Sequence, residues 1–165
     1  MLIYKFKRGL AITLFFILSA CTLNNIQKIE SITTDYNTKA IKTFSIGFQQ
    51  ISERYIIETK MDQLIVRGLR GLKAIDQGFT INLTNNGFKI ILNSEIQSDY
   101  FFPTPDNYSK WAELVVRVIN LLKKQSNLFK NTPIEQFYEI IFDSILSELD
   151  THSRYNNART AQANN

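Results

Sequence analysis

The chain has 165 residues, 44% of them hydrophobic, and a formal charge of +4 from 19 Lys and Arg against 15 Asp and Glu. Three of those basic residues (Lys5, Lys7 and Arg8) and no acid precede residue 21, which leaves 16 against 15 for the remainder. Nucleic-acid binding therefore loses its main compositional support, and no nucleic-acid partner is expected. With one cysteine, a disulfide within the chain is excluded.

The first element is a leader. Lys5, Lys7 and Arg8 precede an apolar run from Gly9 to Leu18, followed by Ser19-Ala20-Cys21. This is the layout of a secretory signal peptide. The run spans about ten residues, short of the roughly twenty a membrane-crossing helix needs, and Asn24, Asn25, Gln27 and Lys28 block its continuation. Leu18-Ser19-Ala20-Cys21 resembles the lipobox of bacterial lipoproteins. The resemblance implies cleavage between Ala20 and Cys21, a diacylglyceryl thioether on Cys21, and acylation of the new amino terminus, commonly by palmitate. Three acyl chains make a permanent anchor where one, at about 0.8 kcal/mol per buried CH₂, gives marginal binding. The expected location is a cell membrane, inner or outer, with the protein facing the periplasm or exterior. Thr22 in place of Asp after the cysteine is permissive for outward sorting.

Residues 21–38 read as a lipidated amino terminus and polar tether, with Thr22, Asn24, Asn25, Thr33, Thr34, Asp35 and Asn37. Its seventeen residues after the cysteine reach roughly 55 Å when extended. A folded unit is expected over 39–155 and a disordered tail over 156–165. Its fold class is mainly α, a four-helix unit with one inserted hairpin.

The first helix is predicted from Thr38 to Ile57, because Ile41, Phe44, Phe48, Ile51 and Tyr55 recur at three- and four-residue steps. Asp62 is the expected N-cap of the second, with Met61 stapling against Val66. Leu64, Ile65, Leu69, Leu72 and Ile75 form its stripe. Gly68 and Gly71 inside it each cost about 1 kcal/mol relative to Ala, which points to close helix packing. Gly78 ends the unit.

Residues 80–83 and 88–92 flank Asn85-Asn86-Gly87 and predict a hairpin, with Asn-Gly supplying positive φ. Residues 93–108 read as a loop. A third helix is predicted from Tyr108 to Lys124 on Trp111, Leu114, Val115, Val118, Leu121 and Leu122. Thr132-Pro133-Ile134-Glu135 has the pattern of a capping box with Pro at N1. It opens a fourth helix with Phe137, Tyr138, Ile141, Phe142, Ile145, Leu146 and Leu149 on its apolar side.

Chemistry-bearing residues are sparse. His152 stands beside Ser153, and neighbours on a chain seldom point the same way, so the pair reads as turn chemistry. One histidine and one lipidated cysteine make no metal site. Gly68 and Gly71 lie within a helical pattern, so they form no phosphate loop. Glu148 and Asp150 read as a solvated helix surface. Lys123, Lys124 and Lys130 cluster at the end of the third helix, where positive charge suits the helix dipole. Catalytic, metal and cofactor-binding residues are thus expected to be none.

Ile51-Ser52-Glu53-Arg54-Tyr55, then Leu64 to Ile75 with Asp76, and Leu149-Asp150-Thr151-His152-Ser153-Arg154-Tyr155 together resemble the carboxyl-terminal processing peptidases, serine protease family S41. The likeness spans about residues 44–160 and is to the amino-terminal helical region that precedes their PDZ domain. Thr151 stands where that family has Pro. The PDZ and Ser–Lys protease domains that follow in the family have no counterpart in these 165 residues. No catalytic role carries over. The resemblance implies a non-catalytic, truncated amino-terminal remnant held on a membrane, not an enzyme. The alternatives are a stand-alone periplasmic adaptor lipoprotein that binds a protein partner and, third, an active peptidase.

Overall fold

The computed structural model describes residues 34–55 and 60–149. The chain divides into two units, Met1–Lys39 and Ala40–Asn165. Of the first, residues 34–39 are described and are helical, with the Thr38 hydroxyl donating to the Thr34 carbonyl at 2.8 Å. Helix α1 covers 34–54 and so starts four residues before the predicted Thr38, within the expected tether. The second unit is mostly helical with a small antiparallel sheet. After α1 come α2 (Met61–Arg70), a 3-10 turn (Gly71–Ala74), β1 (Phe79–Thr84), β2 (Gly87–Leu92) and β3 (Glu95–Phe101). Then follow α3 (Tyr108–Gln125), α4 (Asn127–Asn131) and α5 (Ile134–Leu149). Five helices and three strands thus stand, among the described residues, where four helices and one hairpin were expected.

The core forms where the apolar stripes meet. Phe44 and Phe48 on α1 pack against α5, with Phe44 5.0 Å from Tyr138 edge-on and Phe48 5.8 Å from Phe142. These T-shaped contacts suit the aromatic quadrupole. Gly47 is what lets α1 approach, since a Cβ there would run into the Phe142 ring. Gly68 does the same for α2. A Cβ on it would lie 2.9 Å from Ile141 Cγ2 and 3.1 Å from the Ile141 carbonyl oxygen. At Gly71 a Cβ would meet the Ser144 side chain. The close packing read from this glycine pair is therefore a contact of α2 and its 3-10 extension with α5.

The sheet has the order β1-β2-β3. Thr84 pairs with Gly87 across the predicted first hairpin, and Leu92 with Glu95 across a second. The positive φ angles are not at Asn86-Gly87. Among the described residues they fall at Asn93 (52°) and Ser94 (70°), the two-residue turn into β3, as a tight hairpin requires. Gly87 is needed for space instead: a Cβ there would strike the Tyr100 carbonyl and lie 3.0 Å from Phe101 Cα on β3. The predicted loop over 93–108 thus gives way to a strand over its first half. Gln97 is an extra residue in β3, because Ile90 pairs with Ser98 and Ile91 with Ile96.

An aromatic chain ties the sheet to the helices. Tyr100 stacks on Phe88 at 5.5 Å, Phe88 lies 6.0 Å from Phe102, and Phe102 lies 5.7 Å from Trp111 on α3. The Trp111 indole donates to the Thr104 carbonyl at 3.0 Å, so its polar atom is satisfied while the ring is buried. Phe129 on α4 joins Phe79 of β1 (5.9 Å) to Phe137 of α5 (6.2 Å).

Two caps differ from expectation. Met61 begins α2 with Lys60 before it and no side-chain cap, while Asp62 accepts only from the amide of Gln63. The helix thus starts two residues before the position that an Asp62 cap implies, and its first residue, Met61, is buried. The Thr132 hydroxyl donates to the Leu128 carbonyl at 2.8 Å and so closes α4 instead of capping α5. Asn107 does cap α3, its side-chain oxygen accepting from the Lys110 amide.

Candidate functional site

Ala20 and Cys21, His152, Ser153, Asp150 and the 156–165 tail lie outside the described residues, as does the Leu149–Tyr155 signature beyond Leu149. The first two family-like segments, Ile51–Tyr55 and Leu64–Asp76, form the end of α1, α2 and the 3-10 turn. The Asp76 carboxylate is held as a structural joint. It accepts from the Gly78 amide at 2.9 Å and from the Ser126 hydroxyl at 2.8 Å, locking the exit of the 3-10 turn to the α3–α4 junction.

Of the predicted basic cluster, Lys123 is packed rather than displayed. Its ammonium sits 5.2 Å from the centre of the Phe137 ring. Burial pushes its pKa down, and Glu135 partly offsets this. Lys124 and Lys130 are exposed. Tyr100 shifts the other way. Burial raises its phenol, against a hydrogen bond from Ser98 and the charge of Arg117.

These shifts set alkaline behaviour. The fold favours neutral Tyr100, so that contribution is whole below pH 10.0 and is lost as pH rises through the raised folded value. Lys123 carries a penalty below its lowered pKa that fades towards 10.5, the opposite sign. Tyr100→Phe is therefore expected to lose less stability than the parent between about pH 9 and about pH 11 in urea denaturation. An identical loss in both proteins would show that Tyr100 does not couple to folding.

Two surface features stand out among the described residues. One is a cleft of about 170 Å³ lined by Ser52, Tyr55, Lys60, Asp106 and Tyr108 among others. Tyr108 donates to Ser52 at 3.1 Å, and Ser52 is exposed. The contact ties α1 to the start of α3. Among the described residues no three His, Cys, Asp or Glu side chains converge to hold a metal.

The other feature runs between α2 and β1. A cleft of about 370 Å³ is bounded by Asp62, Val66, Arg67 and Arg70 on the helix and by Leu83, Thr84 and Asn85 on the strand side. A second of about 230 Å³ continues past Arg70 to Lys73, against Phe79, Thr80 and Ile81. Arg67, Arg70 and Lys73 are exposed and three residues apart, so they follow one side of the helix and its 3-10 extension. The spacing is visible in the sequence Val66-Arg67-Gly68-Leu69-Arg70-Gly71-Leu72-Lys73. What the sequence does not show is that β1 forms the facing wall.

No protein-family model matches the chain, and no curated protein and no solved structure matches it. No described helix is long and apolar enough to cross a membrane.

Proposed function

We propose that the protein is a bacterial lipoprotein, anchored through acylated Cys21, that presents a non-catalytic helical unit on a membrane surface. The observation that carries this reading is the order of the first 21 residues: basic start, short apolar run, and Leu18-Ser19-Ala20-Cys21. The likeness to the helical region of carboxyl-terminal processing peptidases supports the non-catalytic part, since that region precedes the family's PDZ and Ser–Lys domains. A stand-alone adaptor is favoured by a second observation. The apolar side of α5 is spent within the unit, with Phe137, Tyr138, Ile141, Phe142 and Ile145 all buried. Leu146 and Leu149 on the same side are partly buried, so little apolar surface of that helix is left for a neighbouring domain to cover.

Cys21→Ser tests the anchor. Labelled palmitate is expected to enter the parent and not the variant, which accumulates as precursor at the membrane. Undiminished labelling of the variant would contradict the proposal.

A further inference from the structure

We propose that the trough between α2 and β1 binds an extended, acidic peptide segment of another protein, which adds as a fourth strand to the free edge of β1. This rests on the adaptor reading above and not on the anchor.

The backbone of β1 supplies one wall. Among the described residues, β1 is an outer strand with β2 as its one neighbour in the sheet. The pairs Thr80–Ile91, Asn82–Lys89 and Thr84–Gly87 share the parity of Gly78 and Asn93, whose backbone bond measures 3.0 Å. In an antiparallel ladder such bonded pairs alternate with pairs whose amides face away. The N–H and C=O groups of Ile81 and Leu83 therefore point out from the sheet edge, and both residues line the trough. No backbone partner outside the sheet engages them among the described residues. An added strand would pair with those groups, the mode by which sheet edges take up peptides.

The helix supplies the selectivity. Arg67, Arg70 and Lys73 line the trough along its length, against one acid, Asp62, at its end. Side chains alternate along an added strand, so every second one would face these cations. Carboxylates at those positions would find complementary charge. Exposed Leu83, 56% accessible, offers an apolar contact at the hairpin end.

The opposite edge of the sheet is unlike this one. β3 is interrupted by the extra residue Gln97 and carries Glu95 and Asp99. Bulges and charges are how sheet edges are kept from pairing. Asp99 is further engaged with Lys89 across the sheet at 3.3 Å. Only the β1 edge combines regular pairing geometry with a cationic wall.

The test uses the full chain in nonionic detergent and a fluorescein-labelled peptide alternating Glu and Val, read by anisotropy. Saturable binding is expected, weakened when NaCl rises from about 50 to about 500 mM. Arg70→Glu with Lys73→Glu is expected to weaken it about tenfold or more. Leu83→Pro removes one outward N–H without touching a β1–β2 bond and is expected to cost about fivefold. A backbone N-methylated Glu/Val peptide tests the same hydrogen bonds against the unaltered protein and is expected not to bind. The proposal is overturned if the N-methylated peptide or a Lys/Val peptide binds equally well, or if no binding is seen at about 1 mM peptide, the weak limit for a useful contact.

Discussion

Trp111→Ala is expected to be the most damaging single substitution in the folded unit, lowering its unfolding free energy by about 3–5 kcal/mol. The side chain is 1% exposed, at the point where α3 meets the sheet. Removing it empties the space between α3 and the Phe88–Phe102 pair and deletes the indole bond to the Thr104 carbonyl. Against a typical stability of about 5–15 kcal/mol for a small protein, that loss takes a large share. Urea denaturation followed by circular dichroism measures it. A loss under about 1 kcal/mol would mean that α3 does not hold the sheet in this way.

Gly68→Val is the second large effect, expected at about 2–3 kcal/mol. Gain in helix propensity opposes the clash, and the clash wins because one of the atoms in the way is backbone. A Cβ on residue 68 would stand 3.1 Å from the Ile141 carbonyl oxygen and 3.1 Å from Ile145 Cδ1. Branches at Cγ go further into α5. Gly71→Ala provides the comparison. It meets the Ser144 hydroxyl, which can rotate away, the Ser144 Cβ at 2.9 Å, which cannot, and Ile140 Cγ2 at 3.2 Å, and it adds one methyl where valine adds three carbons. The expected order of damage is therefore Gly68→Val well above Gly71→Ala. Equal or inverted effects would show that α2 and α5 do not touch at residue 68.

These residues also show how far the sequence could be read. Gly68 and Gly71 break a rule of helix propensity, and a violated rule inside an apolar stripe has few explanations besides close packing. The stripes of α1, α3 and α5 were legible because large apolar residues recur at helical spacing. β3 was not, since Glu95-Ile96-Gln97-Ser98-Asp99 has no buried face and its signal lay in Asn93-Ser94, a less distinctive turn than Asn-Gly. The capping box failed for a different reason. Thr132 has the right spacing to Glu135, but its hydroxyl is used one helix earlier, at Leu128, in a short α4 that no periodicity announces. For the site, the basic spacing from Arg67 to Lys73 was present in the sequence and carried no meaning alone. It becomes a trough only because β1 lies opposite, a tertiary fact. The anchor is the reverse case: Cys21 is read entirely from local order, and the folded unit adds nothing to it.

A module that binds an acidic segment gains from being held at a surface. Linking two binding events raises the effective concentration of the second, so the proposed lipid anchor would let a modest trough engage a membrane-associated partner. That arrangement depends on Cys21 bearing its lipid. The most direct measurement is mass spectrometry of the amino-terminal peptide of the protein isolated from bacterial membranes. The expected result is a peptide that begins at Cys21, with a diacylglyceryl group on its sulfur. A peptide that retains residues 1–20, or a Cys21 thiol free to react with iodoacetamide, would contradict it.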